Sequence, residues 1–271
     1  MRCLLPIGLF ASIFVLAPTA GAQWLNFPTA GIPRTADGKP NLKAPAPKTR
    51  DGKPDFSGMW QPANRLPCNG VTLICGDLPA SKQFLNIGAE NAEPVPYRPE
   101  SLEKMKSYGL ADDPYLNCIT PGGPRMHLLP TMKKVIQTPG LMAILDEYNA
   151  SYRQIFLDGR PFPEDPQPSY AGYSVGKWAG ETLVVESLGY RDDQWLDVQG
   201  SPLTNAAKVT ERFRRLNFGS LEIEVTIEDL KAYTKPWTFL VKQDAVLDTE
   251  MLDAICLENE KDAAHMKKLS K

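Results

Sequence analysis

Histidine and cysteine are scarce in this chain, and neither sign of charge predominates. The 271 residues include 2 histidines and 5 cysteines, and 30 basic against 32 acidic side chains give a formal net charge of −2. Such a balance provides no basic surface for nucleic acid or for an anionic membrane. The cysteine spacing matches no zinc pattern, and only His127 and His265 could assist, so we expect no metal site and no cofactor.

Several catalytic signatures are also missing from the sequence. It contains no Gly-x-Ser-x-Gly motif, and a serine triad would have to use His127. No phosphate-binding loop and no Gly-x-Gly-x-x-Gly follows a strand, which disfavours nucleotide chemistry. Beyond residue 22 no apolar run approaches the ~20 residues of a membrane span. If the protein is an enzyme, acid/base chemistry by carboxylates or tyrosines is what remains.

The first 22 residues have the pattern of a secretory signal peptide. Arg2 supplies the positive start, residues 4–16 form an apolar core, and Ala20-Gly21-Ala22 matches a cleavage site. We therefore expect the mature protein to be periplasmic or secreted.

Four cysteines follow this segment, namely Cys68, Cys75, Cys118 and Cys256. An even number in an exported chain predicts two disulfides. Four cysteines allow three connectivities, and we favour Cys68–Cys75 together with Cys118–Cys256. The second bridge would tie the early part of the chain to its last strand.

Proline is concentrated in the first half of the chain, where residues 23–130 hold 16 of the 25 prolines. Proline fixes φ and removes a backbone donor, so this part cannot be mostly helix or central strand. We expect an extended, irregular segment with one short helix over 99–109. The sequence thus predicts a signal peptide (1–22), a Pro-rich segment (23–130), an antiparallel β domain (131–257) and a charged tail (258–271).

The β domain is predicted from period-two alternation of apolar and polar residues between short turns. About nine strands are expected, over residues 132–138, 141–147, 152–158, 173–178, 181–187, 208–215, 221–228, 237–242 and 251–257. A consecutive antiparallel meander with one apolar face favours a mainly β fold that closes into a lipocalin-like barrel. A strongly curved sheet or a sandwich is the alternative.

The hairpin over residues 209–227 carries the strongest mechanistic clue. Pairing Arg215 with Leu221 across a loop with Gly219 at a left-handed position places opposite charges together on one face. Glu211 then falls on the apolar face. A buried carboxylate must be paired, protonated or exposed to a wet cavity. We therefore treat Glu211 as a candidate general acid or base, with a structural ion pair as the alternative.

Other polar and aromatic residues could accompany Glu211. Arg153 shares the apolar face of its strand, which makes it the natural partner of Glu211 or an anchor for an anionic ligand group. Asp158 is a second catalytic candidate, although a turn cap is its simpler role. Asp146 and Asp193 are further carboxylates for a glycosidase pair. The remaining candidates for ligand contact are Arg125 and the aromatic residues around the loops, namely Tyr152, Tyr170, Tyr173, Trp178, Trp195 and Trp237.

Several motifs resemble an uncharacterised family of exported bacterial proteins. They are Cys118-Ile-Thr-Pro-Gly-Gly-Pro-Arg125, Ile136-Gln-Thr-Pro-Gly140, Tyr152-Arg-Gln-Ile-Phe-Leu-Asp-Gly-Arg-Pro161, Gly172-Tyr-Ser-Val-Gly-Lys-Trp-Ala-Gly-Glu-Thr-Leu-Val-Val185 and Thr210-Glu-Arg-Phe-Arg-Arg215. The resemblance covers roughly residues 114–260. It implies export and a shared fold, but no activity, substrate or cofactor.

Three functions fit these observations. The first is a periplasmic barrel that binds a small molecule, such as a sugar or an aryl compound, with Glu211 and Arg153 as polar anchors. The second is a metal-free acid/base enzyme of isomerase, lyase or glycosidase type that uses Glu211. The third is a structural envelope protein in which the Glu211–Arg153 pair is simply buried. A cavity that contains Glu211 would separate the first two from the third.

Overall fold

The protein is mainly β, and its centre is a closed nine-stranded barrel, as a computed structural model shows for residues 28–63 and 81–256. The barrel strands are β1 (Gly58–Pro62), β2 (Lys133–Gln137), β3 (Leu141–Asp146), β4 (Ser151–Phe156), β5 (Tyr173–Ala179), β6 (Thr182–Leu188), β9 (Lys208–Arg215), β10 (Ser220–Glu228) and β11 (Trp237–Val246). A small ribbon pairs β7 (Gln194–Trp195) with β8 (Pro202–Leu203). The helices are α1 (Lys82–Leu85), α2 (Pro99–Lys106) and the 3₁₀ helices Leu110–Asp112 and Gly123–Leu128.

The barrel is not a simple up-and-down meander. Its strands follow the order β1-β11-β10-β9-β6-β5-β4-β3-β2, and β4 pairs parallel with β5 through Ile155 and Ser174. A closed ring with an odd number of strands cannot alternate direction throughout, so at least one neighbouring pair must be parallel. Parallel neighbours need a crossover, and residues 157–172 make it.

The barrel is closed by β1, and not by the strand expected over residues 251–257. β1 lies between β2 and β11, with Trp60 opposite both Lys133 and Ala245. Residues 251–256 instead make a single parallel bridge, from Ala254 to Tyr148. The β domain therefore takes one strand from the Pro-rich half, where Phe56 and Trp60 supply buried aromatic surface.

The β9–β10 hairpin has the predicted register at every position from Leu221↔Arg215 to Glu228↔Lys208. One charge pair differs from expectation, because Lys208 lies 2.5 Å from Glu186 on β6. The predicted left-handed φ at Gly219 is wrong, since Gly219 is not among the described glycines with positive φ; a different constraint selects glycine there. A Cβ at Gly219 would lie 2.7 Å from Leu42 Cβ, and its N–H donates to Leu42 O at 2.8 Å. Close approach of the irregular N-terminal chain thus selects glycine.

The lumen of the barrel is filled by protein. Residues 121–133 are all buried, and within them the Gly123–Leu128 helix enters the space between the strands. Gln243 on β11 donates to His127 O at 2.6 Å, and the His127 ring packs edge-on against Phe213 of β9. The space in which a lipocalin-like barrel would hold a ligand is therefore occupied by this segment.

Candidate functional site

Glu211 lies inside the barrel in a cluster that we call the sealed cluster: Glu211, Arg153, His127, Ser174 and Ser187. All five side chains are buried. Arg153 Nη1 donates to Glu211 Oε1 at 3.0 Å, and Nη2 donates to Oε2. The partner expected from alternation on β4 is therefore present, in a bidentate geometry.

The sealed cluster crosses four neighbouring strands of the barrel wall. Arg153 stands on β4, Ser174 on β5, Ser187 on β6 and Glu211 on β9, and Ser174 is directly opposite Ser187. Arg153 Nε donates to Ser174 Oγ at 3.2 Å, and Nη2 donates to Ser187 Oγ at 3.0 Å. Every guanidinium nitrogen of Arg153 is thus hydrogen-bonded, as a charge buried in a barrel requires.

His127 completes the sealed cluster from the lumen side. Its Nε2 lies 2.9 Å from Glu211 Oε1. Burial lowers the pKa of His127 below its usual 6.5, against the opposing effect of Glu211. Burial alone would raise the pKa of Glu211, but the Arg153 charge and the His127 hydrogen bond outweigh it and lower this pKa to about 2. A neutral His127 therefore donates to an ionised Glu211.

A second ion pair is buried nearby, between Lys133 of β2 and Asp146 of β3, with Nζ and Oδ2 3.8 Å apart. Lys133 also donates to the carbonyls of Leu129 and Thr131. Burial lowers the pKa of Lys133 to about 8 and raises that of Asp146. With His127 neutral, the described residues of the lumen pair two basic side chains, Arg153 and Lys133, with two acidic ones, Glu211 and Asp146.

Chemistry at Glu211 would require a substrate to reach it. Glu211 has no exposed surface, and it does not line the pockets bordered by Gln83, Arg125 and Trp178. The geometry thus favours a structural role for Glu211 and Arg153, and their predicted catalytic and ligand-binding roles stay predictions.

Arg125 forms a different buried pair, with Asp113. Its Nη1 and Nη2 donate to the two carboxylate oxygens at 2.8 and 2.6 Å, and the guanidinium lies 5.6 Å from the ring of Phe84. Its Nε, however, has no hydrogen-bond partner in the described part of the chain. An unsatisfied buried donor costs about 1–3 kcal/mol, so this arginine retains unused binding capacity.

Arg125 borders a pocket of about 210 Å³ that we call the rim pocket. It lies at the end of the barrel that carries β7 and the β3–β4 turn. Its other walls come from the 114–121 loop, the crossover and β7, with the side chains of Tyr115, Ile119, Tyr170, Arg191, Asp192, Asp193, Gln194 and Trp195.

Gln194 resembles Arg125 in having one unused polar atom. Its Nε2 donates to Arg191 O at 3.1 Å, whereas no described residue donates to its Oε1. The side chain is 6% exposed. The wall here is tightly packed, since a Cβ on Gly122 would collide with Tyr170 O. A buried donor and a buried acceptor, both unpaired and both closed off from solvent, thus belong to the walls of one pocket.

The other predicted site residues lie elsewhere. Tyr152 is 64% exposed on the outer face of β4. Tyr173 packs against Phe156 at 5.2 Å between ring centroids. Asp158 lies in an exposed turn and pairs with Arg160, whose hydrogen bond lowers the pKa of Asp158.

Trp178 stands at the opposite end of the barrel from the rim pocket. It stacks on Phe56 at 5.7 Å and borders an open groove of about 430 Å³ with Lys53 and Leu157. The structure therefore joins Glu211 with Arg153 but separates both from Arg125, Asp158, Tyr152, Tyr173 and Trp178.

The predicted disulfide between Cys118 and Cys256 is present. It fixes the start of the loop whose residues 119–121 line the rim pocket. The other predicted bridge, Cys68–Cys75, lies outside the described residues, as do residues 1–22.

The sequence alone does not reveal the residues that complete the sealed cluster and the rim pocket. The sequence marks His127 only as a possible triad or metal residue, and it gives no sign of Asp113 or Gln194. The one local signal was the rigid Pro-Gly-Gly-Pro run before Arg125, because two prolines fix how the following residues enter the core.

Comparison with protein-family models and with curated proteins finds no match to this chain. No helix in the described ranges is both long and apolar enough to cross a bilayer.

Proposed function

We propose that this is an exported protein that binds a small molecule in the rim pocket. Seven buried side-chain polar atoms lack a hydrogen-bond partner in the described part of the chain. The observation that carries the proposal is that two of them, Arg125 Nε and Gln194 Oε1, belong to residues that line this one pocket. Native proteins rarely leave such atoms without a partner, and a bound ligand supplies one.

The setting of the rim pocket supports the same proposal. Its aromatic walls are held by neighbouring rings: Tyr115 stacks on Tyr148 at 4.4 Å, and Trp195 packs on Tyr108 at 4.5 Å. A preformed wall loses little side-chain entropy when a ligand binds. The barrel beneath it, with its filled lumen, serves as the rigid support.

Export is supported by the Cys118–Cys256 disulfide, since such bonds persist mainly in oxidising compartments. The signal-like sequence of residues 1–22 supports it independently.

Native mass spectrometry tests both parts of the proposal. The full chain is produced in a bacterial host and incubated with the small-molecule fraction of a bacterial extract. We expect a mass that corresponds to cleavage after residue 22, and an added small-molecule mass that mild denaturation releases.

Two variants locate the ligand. Gln194→Leu removes the unpaired acceptor and should lower the bound fraction about tenfold or more. Lys53→Gln changes the groove at the Trp178 end and should leave occupancy unchanged. An unoccupied wild-type protein, or equal occupancy in Gln194→Leu, would overturn the proposed binding site.

A further inference from the structure

The charge of the rim pocket limits what it can bind. Arg125 is neutralised by its bidentate contact with Asp113. Arg191 stacks over the Tyr170 ring at 5.0 Å, and Asp192 and Asp193 line the same pocket. The lining thus carries two arginines and two aspartates, and behind it Asp113 pairs with Arg125 while Lys104 lies 3.7 Å from Asp193, so that the charges balance. A site with this balance does not attract an anion.

The unused hydrogen-bonding atoms limit the ligand further. Arg125 Nε can only donate, and Gln194 Oε1 can only accept. An ionised carboxylate or the dianion of a phosphate monoester accepts without donating, so such a group by itself would leave Gln194 Oε1 unpaired. A hydroxyl group both donates and accepts, and neighbouring hydroxyls on one ring can satisfy both atoms at once.

The size of the rim pocket and its aromatic walls also favour a ligand with a single ring. Its volume of about 210 Å³ is below the ~300–1,000 Å³ typical of sites for drug-sized ligands, so a single ring fits better than a chain. The rings of Tyr115, Tyr170 and Trp195 offer flat apolar surface for the C–H faces of such a ring.

Resting on the proposed function, we infer that the ligand of the rim pocket is an uncharged hydroxylated ring, of the monosaccharide or cyclitol class. Arg125 Nε and Gln194 Oε1 determine this specificity. Both atoms are closed off from solvent in the free protein, so the side chains of Arg125 and Gln194 turn towards the ligand on binding, while the stacked aromatic walls stay in place.

Saturation-transfer-difference NMR tests this inference with named probes on the full chain. The neutral probes are D-glucose, D-galactose, D-mannose, L-arabinose, D-ribose and myo-inositol, and the anionic probes are benzoate, 4-hydroxybenzoate and glucose 6-phosphate. We expect at least one neutral probe to bind and the three anions to bind at least tenfold more weakly. Gln194→Leu should weaken the neutral probe about tenfold, whereas Lys53→Gln should not change it.

The outcomes separate failure of the ligand class from failure of the site. Binding of an anionic probe that Gln194→Leu abolishes would overturn the ligand class and keep the rim pocket. Binding of a neutral probe that Gln194→Leu leaves unchanged would overturn the rim pocket itself. Absence of binding by all six neutral probes would overturn the inferred class, while the mass-spectrometric experiment decides the site.

Discussion

The two buried arginine–carboxylate pairs of this protein differ in what they leave unused. Arg153 and Glu211 form a closed system in which the serines and His127 use the remaining hydrogen-bonding groups. Arg125 and Asp113 are as deeply buried, yet Arg125 keeps one donor without a partner beside a pocket. Burial of a charge therefore does not by itself mark a binding site. Unused hydrogen-bonding capacity next to a cavity is the more informative signal.

The substitution Glu211→Gln gives the largest expected effect, and it tests how much the Arg153–Glu211 pair stabilises the fold. The variant leaves the Arg153 charge buried without a counter-charge, so we expect the free energy of unfolding to fall by about 3–5 kcal/mol. Denaturant unfolding measures it. The matched control is Glu224→Gln on the outer face of the same hairpin, whose pair with Arg212 is exposed and should contribute less than about 1 kcal/mol. An equal loss of unfolding free energy in the two variants would show that the buried pair stabilises the fold no more than the exposed pair.

The stability that the Arg153–Glu211 pair provides should also depend on pH, because Glu211 must be ionised to balance the Arg153 charge. The pKa of Glu211 is about 2 in the folded protein and 4.5 in the unfolded chain. Its contribution to stability is therefore complete above pH 4.5 and is lost as the pH falls towards 2. His127, with its lowered pKa, begins the loss below pH 6.5, because the unfolded chain then takes up a proton that the folded protein excludes.

Unfolding free energies measured between pH 7 and pH 3 check this prediction. The Glu211 contribution is on the order of 3 kcal/mol over its full range. Asp146, whose pKa is raised by burial, works in the opposite direction. The comparison is therefore made against Glu211→Gln, which should show a flatter curve below pH 4.5. Parallel curves for the two proteins would show that Glu211 is not the titrating group.

Loss of the disulfide should destabilise the region of the Arg125–Asp113 pair more than the region of the Arg153–Glu211 pair. Replacing Cys118 and Cys256 by serine opens a bridge between residues separated by 138 positions and should cost about 2–4 kcal/mol. Hydrogen exchange locates the effect: amides of the loop near Tyr115 should lose protection, while those of β9 keep theirs. Uniform loss over both regions would show that the bridge stabilises the whole fold equally.

Local alternation was sufficient to predict the β9–β10 hairpin. Its register, the inward position of Glu211 and the partner Arg153 all follow from period two, since each strand has one buried face. Gly219 shows where such local reasoning ends, because the atom that requires a glycine there belongs to Leu42, a residue far away in sequence.

The rest of the site could not be predicted in this way. β1 and the buried segment over 121–133 come from Pro-rich chain without periodicity, so nothing local shows that one closes the barrel and the other fills it. His127 meets Glu211, and Gln194 meets the loop of Arg125, only after those long-range contacts have formed. The residues that fill the lumen and those that line the rim pocket therefore show no sequence pattern from which their positions could be predicted.

The position of β1 also sets the order in which this chain can mature. The barrel closes only when Trp60 of β1 pairs with Ala245 of β11. The first barrel strand to be synthesised therefore cannot complete its pairing until the last one has been made. Until then the unclosed sheet has two free edges that are open to pairing with other chains, and contacts of such high sequence separation form slowly. Ring closure is thus an event that follows synthesis, and a chain truncated before β11 should associate with its own copies instead of remaining a soluble intermediate.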